Sequence, residues 1–173
     1  MPNLNYNYIT DVKGLEGQLV TNRMRTRRTG YNKSGVIIPF GRPVVYAGNN
    51  INMELPSEAD QVIIGITYLD RIFEDAVDAN GDSGIPNNKH FSYLTKGDIF
   101  VRTEVDIAHN DPVYFRHTAN GVGKSVIGRF RNSADTATCD LLPNARFLPI
   151  YENTNGAVIA KAGELVILSL NLE

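Results

Sequence analysis

The stretch DIFVRTEVDI, residues 98–107, decides the fold class. Ile99, Val101, Thr103, Val105 and Ile107 take every second position, with Phe100, Arg102, Glu104 and Asp106 between them. An extended chain points successive side chains to opposite faces, so this alternation predicts a half-buried β-strand. The turn signal Asn110-Asp111-Pro112 ends it. PVYFR, residues 112–116, follows at once and reads as the next strand of a meander.

The same reading extends in both directions. GAVIAKAGELVILSLN, residues 156–171, reads as a hairpin turning near 161–164. Its second arm, 165–172, is apolar on both faces, as a central strand requires. SGVIIPFGRPVVYAG, residues 34–48, gives two short strands about a Phe40-Gly41-Arg42-Pro43 bend. Residues 62–77 carry both periods. Val62, Ile64, Ile66 and Tyr68 fit a strand, while Ile66, Leu69, Ile72, Phe73, Ala76 and Val77 fit a helix. All-β surroundings favour a strand that bends, with one helical turn. Glycine and proline are scattered as punctuation, so residues 13–173 read as a single β domain. Residues 1–12 differ: MPNLNYNYITDV is rich in Asn and Tyr. Such a segment is either a frayed terminus or an arm that orders against a neighbouring subunit.

Hydrophobic content of 42% and charged content of 21% place the chain among folded globular domains. No apolar run approaches the roughly 18 residues of a membrane span. The opening MPNLNYNYITDVKG lacks the basic and apolar regions of a secretory signal, predicting a protein that stays in its compartment of synthesis. Cys139 is alone, which excludes an intrachain disulfide and Cys-based metal frameworks. The net charge of −2 is unevenly spread: residues 1–50 carry seven basic side chains against two acidic, and residues 51–111 carry four against twelve. That asymmetry points to polar contact between copies or with a partner, and gives no support to nucleic-acid binding.

Four motifs invite chemistry. GVGKS, residues 121–125, resembles the end of a phosphate-binding loop, but the leading glycine of that motif falls on Thr118. SVIGRFR after the lysine is β-like, where such a loop must open a helix. Gly121 and Gly123 therefore read as positive-φ turn residues between PVYFR and SVIGRFR, with Lys124 facing solvent. DANGDSG, residues 78–84, places Asp78, Asn80 and Asp82 like calcium ligands. Ser83 stands where that loop needs glycine and Lys89 where it needs glutamate, so it reads as a solvated loop. His90, His109 and His117 form no recognisable catalytic set, and Glu74/Asp75 reads as a solvated pair. Cys139 reads as a small hydrophobe in a strand. The fourth motif, NRMRTRR at 22–28, is the strongest charge feature. Extended, it would put Arg23, Arg25 and Arg27 on one face and Arg28 on the other. It is either a solvated edge strand guarded by its charges or a partner-contacting one, with phosphate binding the least favoured reading.

Taken in order, GLEGQLV, VIIPFGRPVVY, IIGITY, LTKGDIFVRTEVDIAHNDPVYFR, GRFR, ARFLPI and the closing hairpin resemble the structural cement (decoration) proteins of tailed-bacteriophage heads. The resemblance spans nearly the whole chain. It implies an all-β fold, a single sandwich- or barrel-like domain with an extended N-terminal arm, assembled in the bacterial host cytoplasm and placed on the outer surface of the virion capsid. It implies no enzymatic activity and no cofactor or metal. The partners it implies are the phage major capsid protein and further copies of the chain, a homotrimer being favoured over a homodimer, with no nucleic acid and no membrane. Tyr6, Tyr8 and Ile9 of the arm, with Arg23, Arg25, Arg27 and Arg28, are the expected shell or intersubunit contacts. A tail or baseplate β-protein and a small-ligand-binding β-barrel are the rival readings.

Overall fold

The computed structural model describes residues 14–20, 25–73, 75–121, 124–150 and 158–172. Among them the strands run β1 (Thr26–Asn32), β2 (Ile38–Pro39), β3 (Pro43–Tyr46), β4 (Asn52–Glu54), β5 (Gly65–Thr67), β6 (Gly84–Ile85) and β7 (His90–Arg102). There follow β8 (Ile107–Ala108), β9 (Tyr114–Arg116), β10 (Phe130–Arg131), β11 (Cys139–Leu141), β12 (Ala145–Leu148), β13 (Val158–Ala160) and β14 (Leu165–Asn171). A single 3-10 turn, Arg71–Phe73, follows β5, where the strand and helix periods overlap in the sequence.

Seven strands form one sheet in the order β1-β4-β3-β5-β7-β14-β12. β1 also pairs with β7, so β1, β4, β3, β5 and β7 close into a ring, while β14 and β12 continue the sheet beyond it. The smaller sheets are β10-β9-β11, β13-β8 and β2-β6. Phe40 and Gly41 turn the chain between β2 and β3, with Gly41 at φ 70°. Pro43 opens β3, a strand position where a missing N–H is tolerated.

Two apolar clusters result. Ile38, Phe40, Val44, Met53, Ile85, Phe91 and Tyr93 join the ring to β2 and β6. The larger cluster holds Leu94, Ile99, Val101, Val166, Leu168 and Leu170 of the main sheet against Ile107, Val113, Phe115, Phe130, Leu142 and Ala160 of the small ones. The domain is therefore a sandwich with a ring at one end. Close packing needs bare backbone at several places, among them Gly30 against the Met53 side chain and Gly65 against the Tyr93 ring.

Strand β7 shifts phase once along its length. Before Gly97 an even-numbered residue, Leu94, faces the larger cluster; after it the odd-numbered Ile99 and Val101 do. Gly97 has φ 127°, and the register with β1 slips between Thr26 and Arg27 at this level. This is the geometry of a bulge, which inserts one residue and reverses the alternation.

Three expectations are corrected. The strand expected over 98–107 begins at His90, leaves the sheet after Arg102 and bends at Glu104–Val105 before the short β8. It is also covered on both faces beyond Gly97, with Phe100 and Asp98 buried as well as Ile99 and Val101. PVYFR does not pair with it: β9 lies between β10 and β11, because Glu104 donates its N–H to Phe130 O and carries the chain across to the second layer. The C-terminal turn falls at 161–164 as expected, with Gly163 at φ 82°, but its arms diverge. β13 pairs with β8, and β14 is central between β7 and β12.

Candidate interaction surface

Two buried arginines fix the loops that frame the surface. Arg116 is fully buried on β9 and uses its whole fork. Its Nε and Nη2 donate to Glu104 Oε1 and Oε2 at 2.6 and 2.7 Å, and Nη2 also donates to Asp135 Oδ2 at 2.6 Å. Its Nη1 donates to Thr118 O at 3.1 Å and Thr138 Oγ1 at 3.0 Å. Arg131 joins Glu104 at 3.3 Å and Asp135 at 2.7 Å. Burial alone would lower the Arg116 pKa, but the hydrogen bonds to Glu104 and Asp135 outweigh it and raise the value above the ordinary one. The same bond from Arg116 holds the Asp135 carboxyl well below the usual carboxylate range.

The second network is centred on Arg42, fully buried in the bend before β3. It donates to Glu16 and, at 2.7 Å, to Asp82 Oδ2. Arg129 reaches the same Asp82 oxygen at 2.9 Å, and Arg102 reaches Glu16 at 3.2 Å. Burial lowers the Arg42 pKa, with Glu16 opposing the shift. Asp82 thus serves as a clasp between loops. Asp78 Oδ1 accepts from the N–H groups of Asn80 and Asp82, which shapes the DANGDSG loop from within. Among the described residues no group of three or more His, Cys, Asp and Glu side chains could hold a metal ion.

The glycine-lysine stretch is a turn, with Gly121 at φ 69° and Asn120 N–H donating to Lys124 O at 2.9 Å. Gly123 lies outside the described residues. One detail is corrected: the Lys124 ammonium does not simply face solvent but lies 3.4 Å from Asp135 Oδ1, because the Arg116 network brings that carboxylate beneath it. Cys139 is buried in β11, and burial raises its thiol pKa.

Of the residues expected to make contacts, Tyr6, Tyr8, Ile9 and Arg23 lie outside the described residues. Arg25 is exposed just before β1, and Arg27 and Arg28 are exposed on it. Arg27 and Arg28 stand across from Leu94 and Tyr93 respectively, which puts them on opposite faces of the sheet. The Arg27 guanidinium lies 5.8 Å from the centroid of the Tyr68 ring. Burial and a hydrogen bond with Tyr46 push the Tyr93 phenol up to about 12, against the nearby Arg28 charge. Among the described residues none of these three arginines has a carboxylate partner, unlike Arg42, Arg102, Arg116, Arg129 and Arg131.

Sequence reasoning missed the apolar surface. Val62 is 79% exposed and Leu141 53%, and they flank a groove of about 330 Å³ floored by Ile63, Phe115 and Leu142. A second groove, of about 510 Å³, is lined by Val36, Ile37, Leu55, Val77, Val126 and Ile127. Each joins loops distant in sequence, so no local period could signal it. Both are open furrows in the surface, suited to a protruding side chain or segment of another molecule.

A family model described as Structural cement protein (E217 gp24/Pam3 gp6) matches residues 4–171. No curated protein matches the chain. A solved structure, the capsid of Myoviridae Phage XM1, contains a chain of similar fold: TM-score 0.66 at 16% identity, covering 98% of each chain.

Proposed function

Given that the chain belongs to the structural cement protein family, we propose that it binds the outer surface of a phage head as a homo-oligomer, bridging neighbouring major capsid proteins without catalysing any reaction. The cement role itself follows from membership, and one observation carries it: the match runs from residue 4 to residue 171, nearly the whole chain. The rest is our reading of the surface. The buried arginine networks immobilise loops, and exposed arginines and open apolar furrows remain for contact. A protein of this kind adheres through many modest interfaces repeated over a shell, so that detachment is rare although each contact is weak.

The contacts we assign are Tyr6, Tyr8 and Ile9 of the arm, with Arg23, Arg25, Arg27 and Arg28. A trimer suits the local three-fold positions of a shell. The test is decoration of expanded heads by purified protein, followed by electron microscopy. Full-length protein is expected as regular density on the head exterior. Removal of residues 1–12 is expected to leave a folded protein that no longer decorates. Equal decoration by the truncated form removes the arm from the contact set, and labelling confined to tails overturns the cement reading.

A further inference from the structure

We infer that Arg25 and Arg27, which share one side of β1 and its entry, seat in one copy on the Val62–Leu141 groove of a second copy. This deepens the homo-oligomeric reading above and rests on it. Three observations carry it.

The first is charge. Glu58 and Asp60 are exposed beside the groove, Asp140 lies in its wall, and none of the side chains lining it is basic. Facing outward elsewhere on one side of β1 and its entry are Arg25 and Arg27, without carboxylate partners among the described residues. One surface therefore carries guanidinium groups without described carboxylate partners, in a chain whose buried arginines are all paired. The other carries carboxylates with no described Lys or Arg against them, though His117 Nε2 lies 3.6 Å from Asp140 Oδ1. Arginine is the side chain suited to this task, since its planar fork meets carboxylates at two points while its stem covers apolar atoms.

The second is the construction of the rim. Gln61 Oε1 accepts from the N–H groups of Ser57 and Glu58 at 2.7 and 3.1 Å. Asp60 donates its N–H to Asp140 Oδ2 at 2.6 Å and holds φ at 63°, a left-handed conformation. The backbone bonds leave the Asp60 carboxylate unengaged by any described cation while fixing where it sits. A rim already ordered spares the contact the entropy of arranging it.

The third is composition. Tyr68 lies under Arg27. Arginine and tyrosine are the residues that concentrate binding energy at protein interfaces, and the exposed Val62 and Leu141 supply the apolar centre opposite them. The two surfaces also adjoin. Leu172, which lines the groove, donates its N–H to Thr95 O at 3.0 Å, and the Thr95 hydroxyl donates to Thr26 O at 3.4 Å. Each copy thus offers one donor and one acceptor surface side by side.

Charge exchange in the full-length protein tests this. Arg25→Glu/Arg27→Glu and, separately, Glu58→Lys/Asp60→Lys are expected to weaken self-association at least tenfold by sedimentation. An equimolar mixture of the two is expected to regain association through the mixed contacts, both of them in a dimer and two of the three in a trimer. Val62→Lys, at an open position, is expected to weaken association with an unchanged circular dichroism spectrum, which keeps the test independent of any folding cost at Asp60. Wild-type association by the arginine variant or by Val62→Lys overturns the inference, as does a folded mixture that fails to reassociate or a wild-type chain that is monomeric. Head decoration is read separately. Restored pairing without decoration sinks the cement reading alone, and decoration with unaffected oligomers sinks this inference alone.

Discussion

Glu104 and Arg116 meet at two points, 2.6 and 2.7 Å apart, with the guanidinium fully buried and the carboxylate 5% exposed. Glu104 leaves the main sheet just beyond β7, whereas Arg116 ends β9 in the second layer. The pair therefore rivets one layer to the other. Removing one partner leaves a buried charge uncompensated, which typically costs about 3–5 kcal/mol. Glu104→Ala is expected to lower stability by that order in urea denaturation. Glu104→Gln, which keeps the shape and half the acceptors, is expected to lose less.

Asp135 makes the same network sensitive to acid. Its folded pKa lies below the ordinary 3.8 because Arg116 and Arg131 favour the charged form. A depressed carboxylate pKa stabilises the fold fully above the unfolded value, and the contribution is lost as pH falls from there towards the folded value. The melting temperature is expected to fall as pH drops below about 4. Asp135→Asn is expected to be less stable at neutral pH and to show a shallower decline across the same window.

Gly30 and Met53 are coupled by space. A Cβ on Gly30 would overlap the Met53 sulfur. Overpacking of a core typically costs about 1–3 kcal/mol, so Gly30→Ala is expected to destabilise by that amount. Met53→Ala in the same chain is expected to cost less than it does alone, and a double-mutant cycle by denaturation measures the difference.

Lys124 gives the opposite expectation. It is 44% exposed and meets Asp135 only at 3.4 Å, and exposed pairs contribute about 0–1 kcal/mol. Lys124→Ala is expected to change stability within that range. Magnesium-ATP is expected to leave the melting temperature of the wild-type chain unmoved. A specific shift would contradict the reading of residues 121–125 as a turn.

Legibility followed locality. The alternation at residues 98–102, the Phe40–Pro43 bend, the 161–164 turn and the central place of β14 all rest on neighbours in sequence, and the structure keeps them. What the sequence hid was pairing at a distance. Glu104 occupies a polar slot of a half-buried strand and reads as solvated, but Arg116, Arg131 and Asp135 arrive from the other layer to bury it. The bulge at Gly97 was concealed likewise, because a single glycine between two apolar runs does not announce that the alternation reverses across it. The apolar furrows combine loops such as 60–63 and 140–143, whose adjacency only the folded chain creates.

The length of β7 has a mechanical consequence. It holds six residue pairs to β1 along its first half and seven to β14 along its second, the two ladders meeting at Lys96. Tension along the strand axis, drawing β1 one way and β14 the other, loads the rungs of each ladder together in shear. A pull across the axis opens them singly, in the manner of a zip. The domain is thus stiffest along the direction of its longest strand, and a shell that swells against it is best resisted where that strand lies in the plane of the stretch.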